Sequence, residues 1–395
     1  MQTLFQLVSK ETLIDIKQVA ATIELLDEGA TIPFIARYRK EKTGTLDEVE
    51  IGLIKSSIQK FREIEKRKVA ILKSIEEQGK LTDELKEKIE TCFDAAVLED
   101  IYLPFKPKRK TKASVAREKG LEPLAVLLYK QQERDVLSKA EGFITDEVPT
   151  AEDALQGARD IIAEWINEDM IVRAIVRQQF ERHATIKTKV AFGKEEDKEA
   201  QKFRDYFDWE EPLKNCPSHR LLAMRRGEEE GFLSVDISPT EINAIERLNR
   251  LHLKGLPEPK AQVEEAIRDS YKRLIKPSIE TEFSNLSKEK ADLEAIKIFA
   301  QNLRQLLLSS PLGQKRVLAI DPGFRTGCKV VCLDNQGNLL DDTVIYPHTG
   351  QLDLHKAVDI LKTLVTKHRI EAIAIGNGTA GRETEDLVKK IIFER

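Results

Sequence analysis

The sequence lacks several features that would each indicate a particular class of protein. It contains four cysteines among 395 residues, and no CxxC pair or Cys/His cluster at zinc spacing is present. No run of 18 apolar residues occurs, so no membrane span is expected. The first twenty residues lack the basic start and apolar centre of a secretion signal. We therefore expect a cytoplasmic protein with no structural metal, no cofactor and no membrane partner.

An excess of one sign of charge is also missing. The 64 Lys and Arg residues are nearly balanced by 68 Asp and Glu residues, which leaves a net charge of −4. Phosphate contacts depend on the local density of Lys and Arg, and this balance excludes binding of nucleic acid through overall positive charge. Any nucleic-acid site must therefore lie in a local basic segment.

The chain is rich in charged helix-forming residues over most of its length. Long segments of Glu, Lys, Leu, Ile and Ala predict a mainly α multi-helix region, with a helix-turn-helix-like element and a long central helix. From residue 313 the pattern changes to three strands, a helix, a strand and a helix, which predicts an incomplete α/β domain. The predicted domains are 1–200, 201–312 and 313–395.

Periodicity and capping residues predict individual helices in the first part of the chain. Apolar spacing predicts one helix over residues 9–29, with Ser9 as its cap. Pro33 is expected just inside a short helix, and residues 46–79 are expected to form one long helix.

The end of the helical region carries a second set of expectations. Helices are expected over 258–276 and 278–309, divided by Pro277. The second of these helices carries an apolar stripe that predicts packing on a neighbour. Its residues are Ile279, Phe283, Leu286, Leu293, Ile296, Phe299, Leu303 and Leu306.

The strongest local concentration of positive charge lies in residues 106–119, where Glu118 is the only acid. Pro104 and Pro107 favour extended chain here, and Tyr102 and Phe105 lie beside it. A braced cationic strip with aromatic neighbours suits a phosphate backbone. The alternatives are a solvated loop, or a loop docked on an acidic helix. The predicted nucleic-acid contacts are Lys106, Lys108, Arg109, Lys110 and Lys112.

A second basic segment, TIPFIARYRKEKTG, occupies residues 31–44 and mixes cations with aromatic residues. Phe34, Ile35 and Tyr38 are expected to be buried as anchors. Three cations, Arg37, Arg39 and Lys40, would then pair with acids that hold helices together or extend a basic surface shared with residues 106–112. Both interpretations stay open from the sequence.

Asp321 is the one candidate for metal-dependent chemistry. It ends the first predicted strand of the α/β domain, the place where ribonuclease-H-like nucleases hold magnesium. Two-metal chemistry needs several converging carboxylates. The next strand ends instead at Gly376 and Asn377, and Glu383 and Glu385 follow only later. Asp321 could alternatively brace its turn. We expect no enzymatic activity and no metal site.

Four long strings together resemble the bacterial Tex family of transcription accessory proteins. They are IPFIARYRKEKTGTLDE, EDIYLPFKPKRKTKASVAREKGLEPLA, KFRDYFDWEEPLKNCPSHRLLAMRRGEEEGFL and LAIDPGFRTGCKVVCLDNQGNLLDDTVIYPH. The resemblance covers essentially the whole chain. It implies a helical N-terminal part followed by a YqgF-type ribonuclease-H-like domain that has lost nuclease residues.

In this family, helix-hairpin-helix modules and an OB-fold follow, and the OB-fold chiefly binds nucleic acid with little sequence preference. We expect this chain to be the portion that precedes those modules. The expected function is a non-catalytic transcription accessory scaffold that binds RNA, DNA or both. The alternatives are a metal-dependent nuclease or resolvase that uses Asp321, and a protein-interaction module that docks on RNA polymerase or the ribosome.

Overall fold

A computed structural model describes residues 2–324 and 326–393. The described chain forms two compact units, which divide between Lys297 and Ile298. The first unit is mainly helical and contains two hydrophobic cores, one built from residues 8–102 and the other from residues 113–291. The second unit is α/β with its own core. This agrees with the predicted fold class. The domain boundaries at 200 and 312 stay a prediction.

Seven helices form the first core. They are α1 (Gln2–Thr12), α2 (Ile16–Asp27), α3 (Ile32–Tyr38), α4 (Lys40–Thr43), α5 (Glu48–Glu77), α6 (Asp83–Thr91) and α7 (Ala95–Tyr102). The long helix α5 begins at a capping box, in which Asp47 and Glu50 each satisfy the other's backbone N–H. Gly79 follows it with a φ of +66°, a left-handed conformation that suits glycine. The predicted helix over 46–79 and the place of Pro33 are confirmed.

The predicted single helix over 9–29 is wrong, because the chain breaks between α1 and α2. Leu13 has a φ of +59°, which no helix accommodates. The side chain of Asp15 accepts a hydrogen bond from the N–H of Lys17 and starts α2. Ser9 lies inside α1 and donates to the carbonyl of Ile14 instead of capping. The apolar period continues across this break, so periodicity alone could not find it.

The second core is built from nine helices and a small sheet. The helices are α8 (Lys112–Glu118), α9 (Glu122–Lys130), α10 (Val136–Glu141), α11 (Ala151–Glu168), α12 (Met170–His183), α13 (Ser218–Glu229), α14 (Glu241–His252), α15 (Pro257–Asp269) and α16 (Lys276–Leu308). The strands are β1 (Thr185–Val190), β2 (Asp208–Pro212) and β3 (Leu233–Ser238). They pair antiparallel in the order β2-β1-β3. Sequence analysis predicted only β3 of this sheet.

Pro277 does not divide two helices as predicted. A π-helical segment, Ser270–Ile275, joins α15 to α16, and Pro277 is the second residue of α16. Proline is tolerated in a first turn, and the wide π turn removes the need for its missing N–H.

The predicted apolar stripe of α16 packs only at its start. Ile279 is buried and Phe283 packs against the second core. The other six residues of the stripe are exposed, from Leu286 to Leu306. Packing of the whole stripe on a neighbour is therefore not observed within the described residues.

The second unit has the predicted order of elements. They are β4 (Val317–Asp321), β5 (Cys328–Leu333), β6 (Leu339–Ile345), α17 (Gln351–His368), β7 (Ala372–Ile375) and α18 (Gly381–Lys390). The sheet order is β6-β5-β4-β7, and β4 pairs parallel with β7 while the other pairs are antiparallel. The parallel pair places the ends of β4 and β7 side by side.

The helices of both units are short or charged relative to a bilayer. In the part of the chain that the structure describes, no helix is both long and apolar enough to cross a membrane.

Candidate nucleic-acid interface

The basic loop, which we define as residues 106–112, runs from a 3-10 turn at Leu103–Phe105 into the start of α8. Thr111 and Ser114 cap this start reciprocally, and Gln78 at the end of α5 donates to the carbonyl of Phe105 at 2.8 Å. The loop is therefore fixed at both ends. It borders an open hollow of about 530 Å³ whose lining includes Lys80, Lys106, Arg109, Lys110 and Arg117.

Lys108 is held by carboxylates of α11. Its Nζ donates to Glu164 at 2.5 Å and also to Glu168, and Arg117 Nη1 donates to the other oxygen of Glu164 at 2.7 Å. The Glu164 side chain is only 8% exposed. For Lys108, the contact in the structure is the alternative interpretation, docking on an acidic helix.

The titration properties of this cluster follow from its burial and its pairing. Burial alone would raise the pKa of Glu164, but hydrogen bonds from Lys108 and Arg117 outweigh it and hold that pKa below its ordinary value. Burial alone would lower the pKa of Lys108, and the two carboxylates hold it above its ordinary value instead. Lys108 and Glu164 thus stabilise each other's charged forms.

The remaining cations of the basic loop face solvent. Lys110 pairs with the exposed Glu118 at 3.2 Å. Lys106, Arg109 and Lys112 are exposed, and no carboxylate of the described chain lies within 4.0 Å of their charged atoms. An exposed pair such as Lys110 with Glu118 is easily exchanged for another anion. The loop therefore presents four cations to solvent beside one that is tied down.

The α3 segment, residues 31–44, is positioned by the burial of Ile35 and Ala36 against the first core. Positions 34, 37 and 38 then share the outer face of the short helix, since residues three and four apart lie together. Phe34 is 40% exposed and Tyr38 is 64% exposed. The expectation that these two rings are buried is therefore wrong; Ile35 alone of the three predicted anchors is buried.

The cations of the α3 segment have weak partners. Arg37 lies 3.9 Å from Glu48, and both side chains are more than half exposed. The guanidinium of Arg39 lies 5.0 Å from the centre of the Phe34 ring, and its Nη1 donates to the carbonyl of Tyr38. Lys40 and Lys42 are exposed, with no acid of the described residues within 4.0 Å.

The two basic segments do not form one surface. The α3 segment reaches the start of α5 through Arg37 and Glu48, whereas the basic loop reaches its end through Gln78. A helix of 30 residues is about 45 Å long. The possibility of a basic surface shared by the two segments is therefore not realised, and they are two separate sites.

Asp321 lies exposed at the end of β4, beside the end of β7. The N–H of Gly376 donates to the carbonyl of Ile320, and a Cβ at Gly376 would lie 3.6 Å from Oδ1 of Asp321. The position next to Asp321 is thus a glycine. Among residues 2–324 and 326–393, no three His, Cys, Asp or Glu side chains lie close enough together to hold a metal ion.

Sequence analysis missed the acids that hold the basic loop. Glu164 and Glu168 follow the loop by more than fifty residues and stand four apart on α11, so they share one helix face. Two acids at this spacing on an otherwise apolar helix are a usable signal, but their partner could not be known without the fold.

Comparison with known proteins matches three Tex family models to this chain. A Tex-like N-terminal domain matches residues 2–76, a Tex central region matches 131–299, and a Tex YqgF-like domain matches 315–395. The last match agrees with the sheet order and the parallel pairing of β4 with β7.

Curated relatives match over nearly the whole chain. The transcriptional accessory protein Tex of Neisseria gonorrhoeae is 41% identical over 98% of the chain, and the protein tex of Bordetella pertussis is 42% identical over 94%. The human S1 RNA-binding domain-containing protein 1 is 32% identical over 98%. The chain spans 51%, 49% and 40% of these relatives, respectively.

Proposed function

The chain belongs to the Tex family, and from that premise we propose that it is the non-catalytic part of a transcription accessory scaffold that binds RNA or DNA with little sequence preference. The predicted contacts are the solvent-facing cations of the basic loop and of the α3 segment. Contacts of this kind are made to phosphates, which are the same in every sequence.

The observation that carries this proposal is the basic loop itself. Its two ends are fixed, and Lys108 ties its centre to Glu164 and Glu168. The neighbouring cations are therefore presented at fixed positions around the hollow, without neutralising partners of their own. A pre-positioned cation loses less entropy on binding than one on a mobile loop.

The names of the relatives support the same proposal. One bacterial relative is named a transcriptional accessory protein, and the human relative is named for an S1 RNA-binding domain. We extend the transcriptional role and nucleic-acid binding to this chain. RNA polymerase or the ribosome as a partner, a cytoplasmic location and a helix-turn-helix role for α2 and α3 belong to the same proposal, and no membrane partner is part of it.

The absence of catalysis is also part of the proposal. It is supported by the surroundings of Asp321, where Gly376 and Asn377 stand at the end of β7 in place of a second carboxylate. Two-metal hydrolysis needs converging carboxylates.

The proposal is tested by titrating this chain into labelled single-stranded RNA and duplex DNA over a series of salt concentrations, with and without magnesium. We expect affinity to fall steeply with salt, with a slope of about 0.7 per phosphate contact on single strands. The nucleic acid is expected to stay intact. No binding at low salt would refute the proposal, and magnesium-dependent cleavage lost in Asp321→Asn would replace it with the nuclease alternative.

A further inference from the structure

The outer face of α3 has an unusual composition for a surface helix in a chain with few aromatic residues. Phe34 and Tyr38 stand one turn apart with ring centres 5.5 Å apart, and both are exposed. Burial of Ile35 and Ala36 on the opposite side fixes the helix, so the two rings are held outward by the fold. Exposed aromatic rings of this kind lose hydrophobic stabilisation unless a ligand covers them.

The surroundings of these rings are cationic. Arg37 shares their face, Arg39 lies against the Phe34 ring, and Lys40 and Lys42 follow in α4. Glu41 is the only acid among residues 31–44. An anionic ligand with a flat apolar part therefore complements this surface better than an apolar protein face does.

We infer that Phe34 and Tyr38, with Arg39 behind them, form a stacking platform for the unpaired bases of a single-stranded nucleic acid. The bases stack on the rings, and the adjoining phosphates pair with Arg37, Lys40 and Lys42. A duplex keeps its base faces inside the helix and cannot use the rings. This inference rests on the proposed function and adds to it a preference for single strands.

The platform is a second site, separate from the basic loop. The loop lies at the far end of α5 and has cations without exposed rings beside them; Phe105 there is half-buried against the first core. The loop is therefore expected to hold phosphates of any nucleic acid, and the platform to distinguish single strands from duplexes.

The test uses fluorescein-labelled 12-nucleotide strands of RNA and of DNA, a matched duplex, and an abasic strand with the same phosphates. Replacing both rings by leucine, as Phe34→Leu with Tyr38→Leu, keeps apolar bulk and removes the aromatic faces. We expect this variant to bind both single strands about tenfold or more weakly, with an unchanged salt slope. Affinity for the duplex and for the abasic strand should not change. The variant Tyr38→Phe keeps its ring and should bind like the wild type.

The outcomes separate this inference from the proposed function. Single-strand affinity that is equal in the wild type and the double leucine variant would overturn the platform alone. An equal loss on the abasic strand would also overturn it, because that strand has no bases to stack. No binding of any strand by the wild type would overturn the platform together with the proposed function. Thermal unfolding of each variant verifies that the helix is intact, and Tyr38→Leu alone provides the same test with the smaller change.

Discussion

Lys108 in the basic loop and Arg37 in the α3 segment are both cations in short, proline-containing basic stretches of the first unit. Lys108 reaches two acids of α11, one of them buried, whereas Arg37 reaches one exposed acid at 3.9 Å. The first contact holds two parts of the chain together, and the second is worth little in water. Positive charge of equal density thus serves stability in one segment and remains available for binding in the other.

The largest expected effect concerns the buried end of this comparison. Replacing Glu164 by Ala leaves Lys108 and Arg117 without their shared carboxylate, and it should lower the free energy of unfolding by about 3 kcal/mol. Urea denaturation measures this loss. The matched control is Glu118→Ala, which removes the exposed partner of Lys110 and should cost less than about 0.5 kcal/mol. Equal losses in the two variants would remove the distinction between the segments.

The second effect concerns the solvent-facing end. The triple variant of Arg37, Arg39 and Lys40 to Ala should bind single-stranded RNA roughly tenfold more weakly at 0.1 M salt, with a slope lower by about two units. Its melting temperature should stay unchanged, since no strong ion pair is lost. Lys86→Ala with Lys88→Ala, exposed on α6 outside both segments, is the control. A lower melting temperature with unchanged affinity would assign these cations a structural role.

The smallest effect is the pH dependence of the buried cluster. The pKa of Glu164 in the folded chain lies below its ordinary value of 4.5, so its stabilising contribution is present above that pH and is lost as pH falls through the lower folded value. The wild type should lose more stability than Glu164→Gln between pH 6 and pH 3.5. Urea midpoints at several pH values measure the difference. Parallel curves would mean that Lys108 and Arg117 do not stabilise the carboxylate.

Local signals in the sequence account for much of the fold. The capping box at Asp47, the place of Pro33 and the strand order of the second unit all depend on neighbouring residues or short periods. The break at Leu13 and the π-helical segment before Pro277 were missed. At both places the apolar period runs on while the backbone changes, so the pattern carries no trace of the change.

The candidate sites were predictable as positions but not as contacts. The basic residues stand out in the sequence, yet the partner of Lys108 lies more than fifty residues away on α11. Phe34 and Tyr38 were expected to be buried because aromatic residues usually are, and the short helix instead buries Ile35 and Ala36. Which face of a seven-residue helix packs inward depends on the neighbouring helices, and those are fixed only by the fold.

The most direct test compares two lysines that stand two positions apart. Lys106→Gln and Lys108→Gln are each titrated with single-stranded RNA over a range of salt, and their urea midpoints are recorded. The account predicts that Lys106→Gln lowers the salt slope by about 0.7 with unchanged stability. Lys108→Gln should lower stability and leave the slope unchanged. A lower slope for Lys108→Gln with none for Lys106→Gln would contradict the division of these cations into structural and binding groups.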